Sequence, residues 1–349
     1  MIRSVRERLL IAAVTFLLAT QAAGENPFGP APRDADGRFL NLAGPLLRAG
    51  PDVTVPFLIR RLFGFSRRTE GLPELEPDAT EKMKQRYQGV LPRVTWIGHA
   101  SLLLHHDDVT YLTDPQWSKR AGPGGWLGPA RFQPPGIPLD ELPPIDFVLI
   151  SHNHYDHLDL PTLRALAERR AETVFLVPLS NGALLRDAGV ENVQELDWGE
   201  TRSFGPATVQ CLPSQHWSSR GLTDERRALW SSWSITGAER RVYFAGDTGL
   251  LPEFASIGAA LGPFDLALLP IGAYEPVSMM RPVHLDPEEA IEAARLLRAE
   301  RVLGIHFGTF NLTDEPIGEP PLRFRAAAEA AGRDSGSAWV LRIGQTRNF

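Results

Sequence analysis

Six consecutive positions, His152-x-His154-x-Asp156-His157, carry four side chains that can ligate a metal. Neutral imidazole together with carboxylate suits zinc, and also manganese or iron. In a tight turn after a strand, alternate residues can aim His152 and His154 at one point, while Asp156 and His157 face a neighbouring one. A second cation needs further ligands, and the isolated residues His216, Asp247 and His306 are available. Asp247 has two oxygens, so it can bridge two cations. Two cations roughly 3.5–4 Å apart can hold a hydroxide between them and clamp the oxygens of a displacement reaction. The alternative is that these histidines satisfy buried backbone groups. For a single histidine that alternative wins; it does not account for four ligand side chains in six residues with three more placed alike.

The placement they share is the end of an apolar run. Strand-like runs are expected at 94–97, 101–104, 109–112, 147–150, 174–177, 209–212, 229–235, 242–245, 266–269 and 302–305. His99 comes after the first, Asp114 after the third, the His152–His157 cluster after the fourth, His216 after the run at 209–212, Asp247 after that at 242–245 and His306 after the last. In α/β sheets the carboxyl ends of strands converge on one rim, where binding crevices form. Helices are expected at 160–170, 286–298 and 324–331, with a last strand at 339–342. The second helix opens on Asp286-Pro287-Glu288-Glu289, a good cap, a proline suited to the first helical position, and acidic residues at the positive dipole end. The Pro- and Gly-rich stretch 115–144 reads as a functional loop. Paired strands succeeded by strands mixed with helices imply two sheets with helices outside them. His105 and His106 beside the Asp107-Asp108 turn read as solvated hairpin residues. Cys211 reads as a small core residue, and Trp230 and Trp233 as core or as the lining of an acyl-chain channel.

Composition narrows the function. The 349 residues include 36 Lys and Arg against 42 Asp and Glu, a net charge of −6, so no basic footprint for nucleic acid is present. One cysteine excludes an intrachain disulfide framework and a Cys-rich metal site. Arg3, Arg6 and Arg8, the apolar run 9–19 broken by Thr15, and the small residues up to Ala23 have the layout of an export signal. The run is 11 residues, against the ~20 that span a bilayer as a helix. A buried N-terminal helix or a retained interfacial anchor is the alternative; we take residues 1–23 as an export signal and expect a periplasmic or membrane-associated protein. Residues 24–92 read as an irregular extension and 93–349 as the main domain. Within the extension, Phe57, Leu58, Ile59, Leu62, Phe63 and Phe65 mix with Arg60, Arg61, Arg67 and Arg68. An interfacial helix on anionic lipid uses such a mixture; the reading taken here is an amphipathic helix packed on the main domain with its arginines in water.

His152-Asn-His-Tyr-Asp-His157-Leu-Asp159 resembles the signature of the metallo-β-lactamase superfamily. Trp96-Ile-Gly-His99-Ala-Ser, Thr113-Asp-Pro115, Ala245-Gly-Asp-Thr248, Pro270-Ile-Gly-Ala-Tyr274, His284-Leu-Asp-Pro-Glu-Glu289 and Ile305-His-Phe-Gly-Thr309 make the chain similar to one branch, the N-acylphosphatidylethanolamine-hydrolysing phospholipase D family and its bacterial relatives. The resemblance implies an α/β fold of αββα sandwich type and two divalent cations, zinc above manganese or iron. It implies His152, His154 and His216 on one cation, Asp156, His157 and His306 on the other, and Asp247 bridging. His284 would act on the phosphate or leaving group, Asp114 would polarise the centre from behind its ligands, and His99 would support the site. The expected reaction is phosphodiester hydrolysis by a hydroxide held between the cations. The substrate would be a small molecule or a phospholipid, reached by peripheral membrane contact. A lactonase on the same centre, or a non-catalytic metal- or lipid-binding periplasmic protein, are the alternatives.

Overall fold

Two mixed sheets face each other. In the first, β1 (Arg93–Gly98), β2 (Ser101–His106), β3 (Val109–Thr113), β4 (Phe147–Leu149), β5 (Val174–Pro178) and β6 (Val193–Leu196) lie side by side in chain order. In the second, β7 (Thr201–Phe204), β8 (Ala207–Leu212), β9 (Ser232–Thr236), β10 (Arg241–Phe244), β11 (Phe264–Pro270), β12 (Ala299–Ile305) and β13 (Ala338–Trp339) do the same. A last strand, β14 (Thr346–Asn348), returns to the first sheet and pairs antiparallel with β1. Each sheet passes from antiparallel to parallel pairing, at β3–β4 in one and at β10–β11 in the other. This computed structural model describes residues 27–46, 49–63, 70–334 and 336–349, the side chains of 61–63 excepted. The expected export segment, and the side chains of Arg61, Leu62, Phe63, Phe65, Arg67 and Arg68, lie outside the described residues.

The layers arise from residues that alternate along the strands. Val94, Trp96, Leu102, Leu104, Tyr111 and Phe147 enter the core between the sheets, opposite Val209, Trp233, Phe244 and Leu268 of the second sheet. Their neighbours Ile97, Leu103, Leu112 and Val148 point outward with Met83, Leu163 and Leu166. Those three belong to outer helices, which in chain order are α1 (Pro51–Phe63), α2 (Ala79–Tyr87), α3 (Leu160–Arg169), α4 (Gly182–Asp187), α5 (Glu253–Leu261), α6 (Val277–Met280), α7 (Pro287–Leu296) and α8 (Glu319–Ala330). Strands buried on both faces read as continuous apolar runs, which is why β1–β4 stand out in the sequence. On the second sheet Phe254 and Ile257 of α5, Ala290 and Ala294 of α7 and Phe324 of α8 supply the cover. The result is an αββα sandwich. The helix expected at 286–298 is α7, and Asp286 and Glu289 exchange side-chain-to-backbone hydrogen bonds as a capping box.

Several local readings change. The stretch 24–92 contains α1 and α2; its prolines suggested coil, but Pro51 is the first residue of α1, where its missing N–H costs nothing. In α1 Phe57 is buried, whereas Val55, Leu58 and Ile59 are exposed. The Arg60 guanidinium pairs with Asp314 instead of facing water alone. His106 is fully buried, not solvated: its ring nitrogens meet Asp107 Oδ2 at 3.0 Å and the Tyr111 hydroxyl at 3.1 Å. Trp230 and Trp233 are core residues. The Trp230 indole donates to Ser214 O at 2.9 Å and the Trp233 indole to Ile150 O at 3.1 Å. The strand expected at 339–342 shortens to β13, after which the chain crosses to β14. Among the described residues no helix is long and apolar enough to cross a membrane.

Trp233 sits in the second sheet and bonds to the strand end of the first, so it ties the layers beside the metal-ligand cluster. Trp233→Ala should cost about 3–5 kcal/mol, read from the shift of the urea unfolding midpoint. A shift worth less than about 1 kcal/mol would show that the layers are held elsewhere.

Candidate metal centre

All seven ligand candidates arrive at one rim, with His99 and Asp114 beside them. His99 comes after β1, Asp114 after β3, the His152–His157 cluster after β4, His216 lies beyond β8, Asp247 beyond β10, and His306 directly after β12. His99 (φ 56), Asp114 (φ 35) and His306 (φ 61) are left-handed. That conformation turns the chain sharply off the strand, and for a non-glycine residue it persists only where the surroundings hold it. Gly246 (φ 59) precedes Asp247; a Cβ there would collide with Ser151, so glycine lets the two rims close.

Two groups of ligand atoms form. His152 Nε2 and His216 Nε2 face His154 Nδ1 at 2.8 and 3.2 Å. His157 Nε2 faces His306 Nε2 at 3.1 Å and Asp156 Oδ2 at 3.4 Å. Asp247 lies between the groups: Oδ2 is 3.1 Å from His157 Nε2 and 3.8 Å from His216 Nε2, and Oδ1 is 3.2 Å from His306 Nε2.

A count of protons shows what these groups want. Asp114 Oδ1 accepts the Ser151 N–H at 2.7 Å, and Oδ2 accepts the Ser151 hydroxyl and His157 Nδ1–H, both at 2.6 Å. His157 therefore turns a bare Nε2 inward. The Ser151 proton being spent, His152 Nδ1–H must donate to Ser151 Oγ at 2.9 Å, and His152 Nε2 is bare too. His216 Nδ1–H donates to Val283 O at 3.0 Å, which bares its Nε2. Three lone pairs and the Asp156 and Asp247 carboxylates thus converge. Asp247 Oδ1, among these atoms, is buried with no hydrogen-bond partner. Acceptors facing acceptors are satisfied by a cation, so this donor set fits a divalent metal.

The electrostatics agree. Burial, reinforced by the neighbouring imidazoles, holds His152 well below the ordinary histidine range, and burial lowers His154 to about 4. Against burial, Asp247, Asp156 and Asp114 push His157 well above it. Against burial, Asp247 and Asp156 raise His306 to about 9. Despite burial, the same contacts hold the Asp156 and Asp247 carboxyls well below the usual range. Without a metal, a proton takes the cation's place between His157, His306 and the two carboxylates.

His284 stands at the edge. Its Nδ1 is 3.9 Å from Asp247 Oδ2, and its side chain is 11% exposed against 0–1% for His157, His306, His152 and His216. Burial lowers its pKa to about 4, so it is a neutral imidazole at pH 7. His99 Nε2 meets Asp156 Oδ2 at 2.9 Å and orients that carboxylate, and the ligand atoms of His99, Asp156, His157 and His306 all lie within 4.8 Å of one another. Sequence reasoning missed Arg220. Its Nη1 donates to Asn153 O and Leu158 O at 2.8 and 2.9 Å, and its guanidinium lies 3.9 Å over the Tyr155 ring. It grips both ends of the ligand turn from a loop with no motif to mark it.

Residues 110–307 match the Beta-lactamase superfamily domain. Over 247 residues the chain is 41% identical to N-acyl-phosphatidylethanolamine-hydrolyzing phospholipase D 1 of Caenorhabditis elegans, covering 68% of this chain and 69% of that one. The chain belongs to the metallo-β-lactamase superfamily and, within it, to that phospholipase D family. A metal-dependent hydrolase of Methanopyrus kandleri is 32% identical over 246 residues, 69% of this chain and 94% of its own. The solved structure of a metallo hydrolase from Ignicoccus hospitalis superposes with a TM-score of 0.56 at 25% identity, covering 74% of this chain and 98% of that one. The chain is accordingly a metal-dependent hydrolase of that superfamily, and the His/Asp groups at this rim are able to hold metal.

Metal loading of this superfamily centre competes with protonation of His157 and His306, which Asp247 and Asp156 favour. At about pH 7.5, adding Zn²⁺ to metal-free protein should release about one to two protons per chain, and the apparent affinity should rise as pH rises towards 9. Calorimetry in buffers of different ionisation enthalpy measures the release. Loading with no proton release, or affinity that falls with rising pH, would contradict the protonation pattern.

Proposed function

We propose that this chain hydrolyses the phosphodiester of an N-acylated phospholipid at a centre that takes two divalent cations, zinc foremost. The observation that carries the reading is the position of an apolar cavity. It measures about 660 Å³ and is lined by Leu40, Leu46, Val55, Trp217, Met279 and Val283 among others. This is within the size of ligand pockets. Trp217 joins it to the ligand cluster, its ring edge-on to His154 at 4.7 Å. An acyl chain in the cavity would leave a headgroup phosphate beside the cations.

When bound, the cations would neutralise phosphoryl oxygens and lower the pKa of water to ~7. His152, His154 and His216 would hold one and Asp156, His157 and His306 the other, with Asp247 between them. Asp114 keeps His157 and His152 in the ligating tautomer, and Asp156 is aimed by His99. His284, neutral and partly exposed, can hydrogen-bond the phosphoryl group or pass a proton to the departing oxygen. Val55 of α1 lines the cavity, and the exposed Val55, Leu58 and Ile59 of that helix would meet the lipid surface. With residues 1–23 as an export signal, the enzyme would work outside the cytoplasm, periplasmic or membrane-associated.

The experiment is turnover by zinc-loaded protein on N-acylphosphatidylethanolamine, bis-p-nitrophenyl phosphate and acyl lactones. Release of phosphatidate and N-acylethanolamine is expected. Turnover of lactones alone would favour a lactonase, and none at all a non-catalytic binder. Asp247→Asn should lose metal by more than the ~10–100-fold seen for residues behind the ligands and abolish turnover; full metal content would remove its bridging role. His284→Ala should keep both cations and slow kcat by ~10²–10⁴-fold. Loss of a cation in that variant would make His284 a ligand.

A further inference from the structure

We propose that Asn41 is a positioning residue for His216, so that the segment preceding the family domain forms part of the metal centre. The matched domain spans residues 110–307, and Asn41 lies well outside it. His216 sits on the loop beyond β8, where no neighbouring strand fixes its backbone. Asn41 does so with its side chain. Its Nδ2 donates to His216 O at 2.9 Å, and its Oδ1 accepts the His216 N–H at 3.1 Å. One amide thereby satisfies both backbone groups of one residue, as a paired strand would.

The amide has one orientation. Oδ1 also accepts the Trp230 indole N–H at 3.0 Å, and a flip would set the NH₂ group against two donors. Asn41 is only 5% exposed and Trp230 is fully buried, so water does not replace these bonds. With the backbone held by Asn41 and Nδ1–H held by Val283 O, the bare Nε2 of His216 is aimed at His154 and Asp247.

The segment that carries Asn41 is itself docked. Phe39 is fully buried, and its N–H donates to Arg226 O at 2.8 Å. Arg226 Nη1 returns a bond to Phe39 O at 3.1 Å, and Ala31 N–H donates to Asp197 Oδ1 at 3.0 Å. Asn41 acts on the group His152, His154 and His216, whereas the group Asp156, His157 and His306 is held by His99 and Asp114. Losing Asn41 should therefore loosen one cation and spare the other. The inference rests on His216 as a ligand and is independent of the substrate.

The test uses full-length protein, made metal-free and titrated with Co²⁺ against a competing chelator, with visible absorption as the signature of the ligand field. In Asn41→Ala one Co²⁺ step should weaken by ~10–100-fold with an altered spectrum, while the other stays within about twofold and the metal-free Tm is little changed. Asn41→Asp is nearly isosteric, keeps the acceptor and loses the donor to His216 O, so it should show the same selective loss and decides the matter if Asn41→Ala does not fold. Both steps unchanged would overturn the proposal. Both steps weakened alike with a lowered metal-free Tm would also overturn it, since that is general destabilisation. A parent that binds a single Co²⁺ would count against two cations, and selective weakening of that step would still uphold the role of Asn41.

Discussion

Three donors converge on the Asp114 carboxylate, and the protonation of the whole centre depends on them. One holds His157, and two come from Ser151, whose hydroxyl passes the constraint to His152. Burial raises the Asp114 pKa, with His157 opposing. A proton on Asp114 would find no acceptor among these partners, so the carboxylate form is the one the contacts select. Were that carboxylate absent, His157 could keep its proton on the nitrogen that faces the other ligands. The backbone places it: Asp114 N–H donates to Leu149 O at 2.9 Å, continuing the β3–β4 ladder by one residue into the site.

The two halves of the ligand set belong to different sheets, so the core between the sheets sets their separation. Trp96 stacks on Phe307 at 4.9 Å directly beneath the rim. Two backbone bonds cross there as well, His306 N–H to His99 O at 3.1 Å and Ser231 N–H to Ser151 O at 2.8 Å. Protein interiors are packed as densely as crystals, so a ligand spacing built on such contacts is stiff. Rigid layers below and loops above give a centre whose ligands hold still beside the apolar cavity.

Much of this was legible because the informative residues are local in sequence. The apolar strands β1 to β4 are buried on both faces and announce themselves, and the ligands come directly after strand ends. The resemblance carried by those motifs supplied the αββα layering. What escaped were features without local signature. β6 and β7 are four residues each and partly exposed, so no periodicity marks them. His106 reads as a turn residue because part of its cover, the Phe349 ring at 6.2 Å, comes from the far end of the chain. Asn41 lies 175 residues from His216 and Arg220 62 from Leu158. Single polar residues that act across such distances carry nothing in their neighbours to betray them.

The return of β14 to the first sheet has a consequence for how the molecule assembles. Arg93 and Asn348 are partners in the same ladder, and Thr95 and Thr346, whose hydroxyls meet across it, are 251 positions apart. Closing so long a loop costs entropy before any contact rewards it, and pairings of this span form slowly. Until then β1 presents bare N–H and C=O groups along its outer edge, a template for any other extended segment. A truncation that removes β14 would therefore leave a chain whose ligand residues are all present yet whose first sheet is open to joining its neighbours.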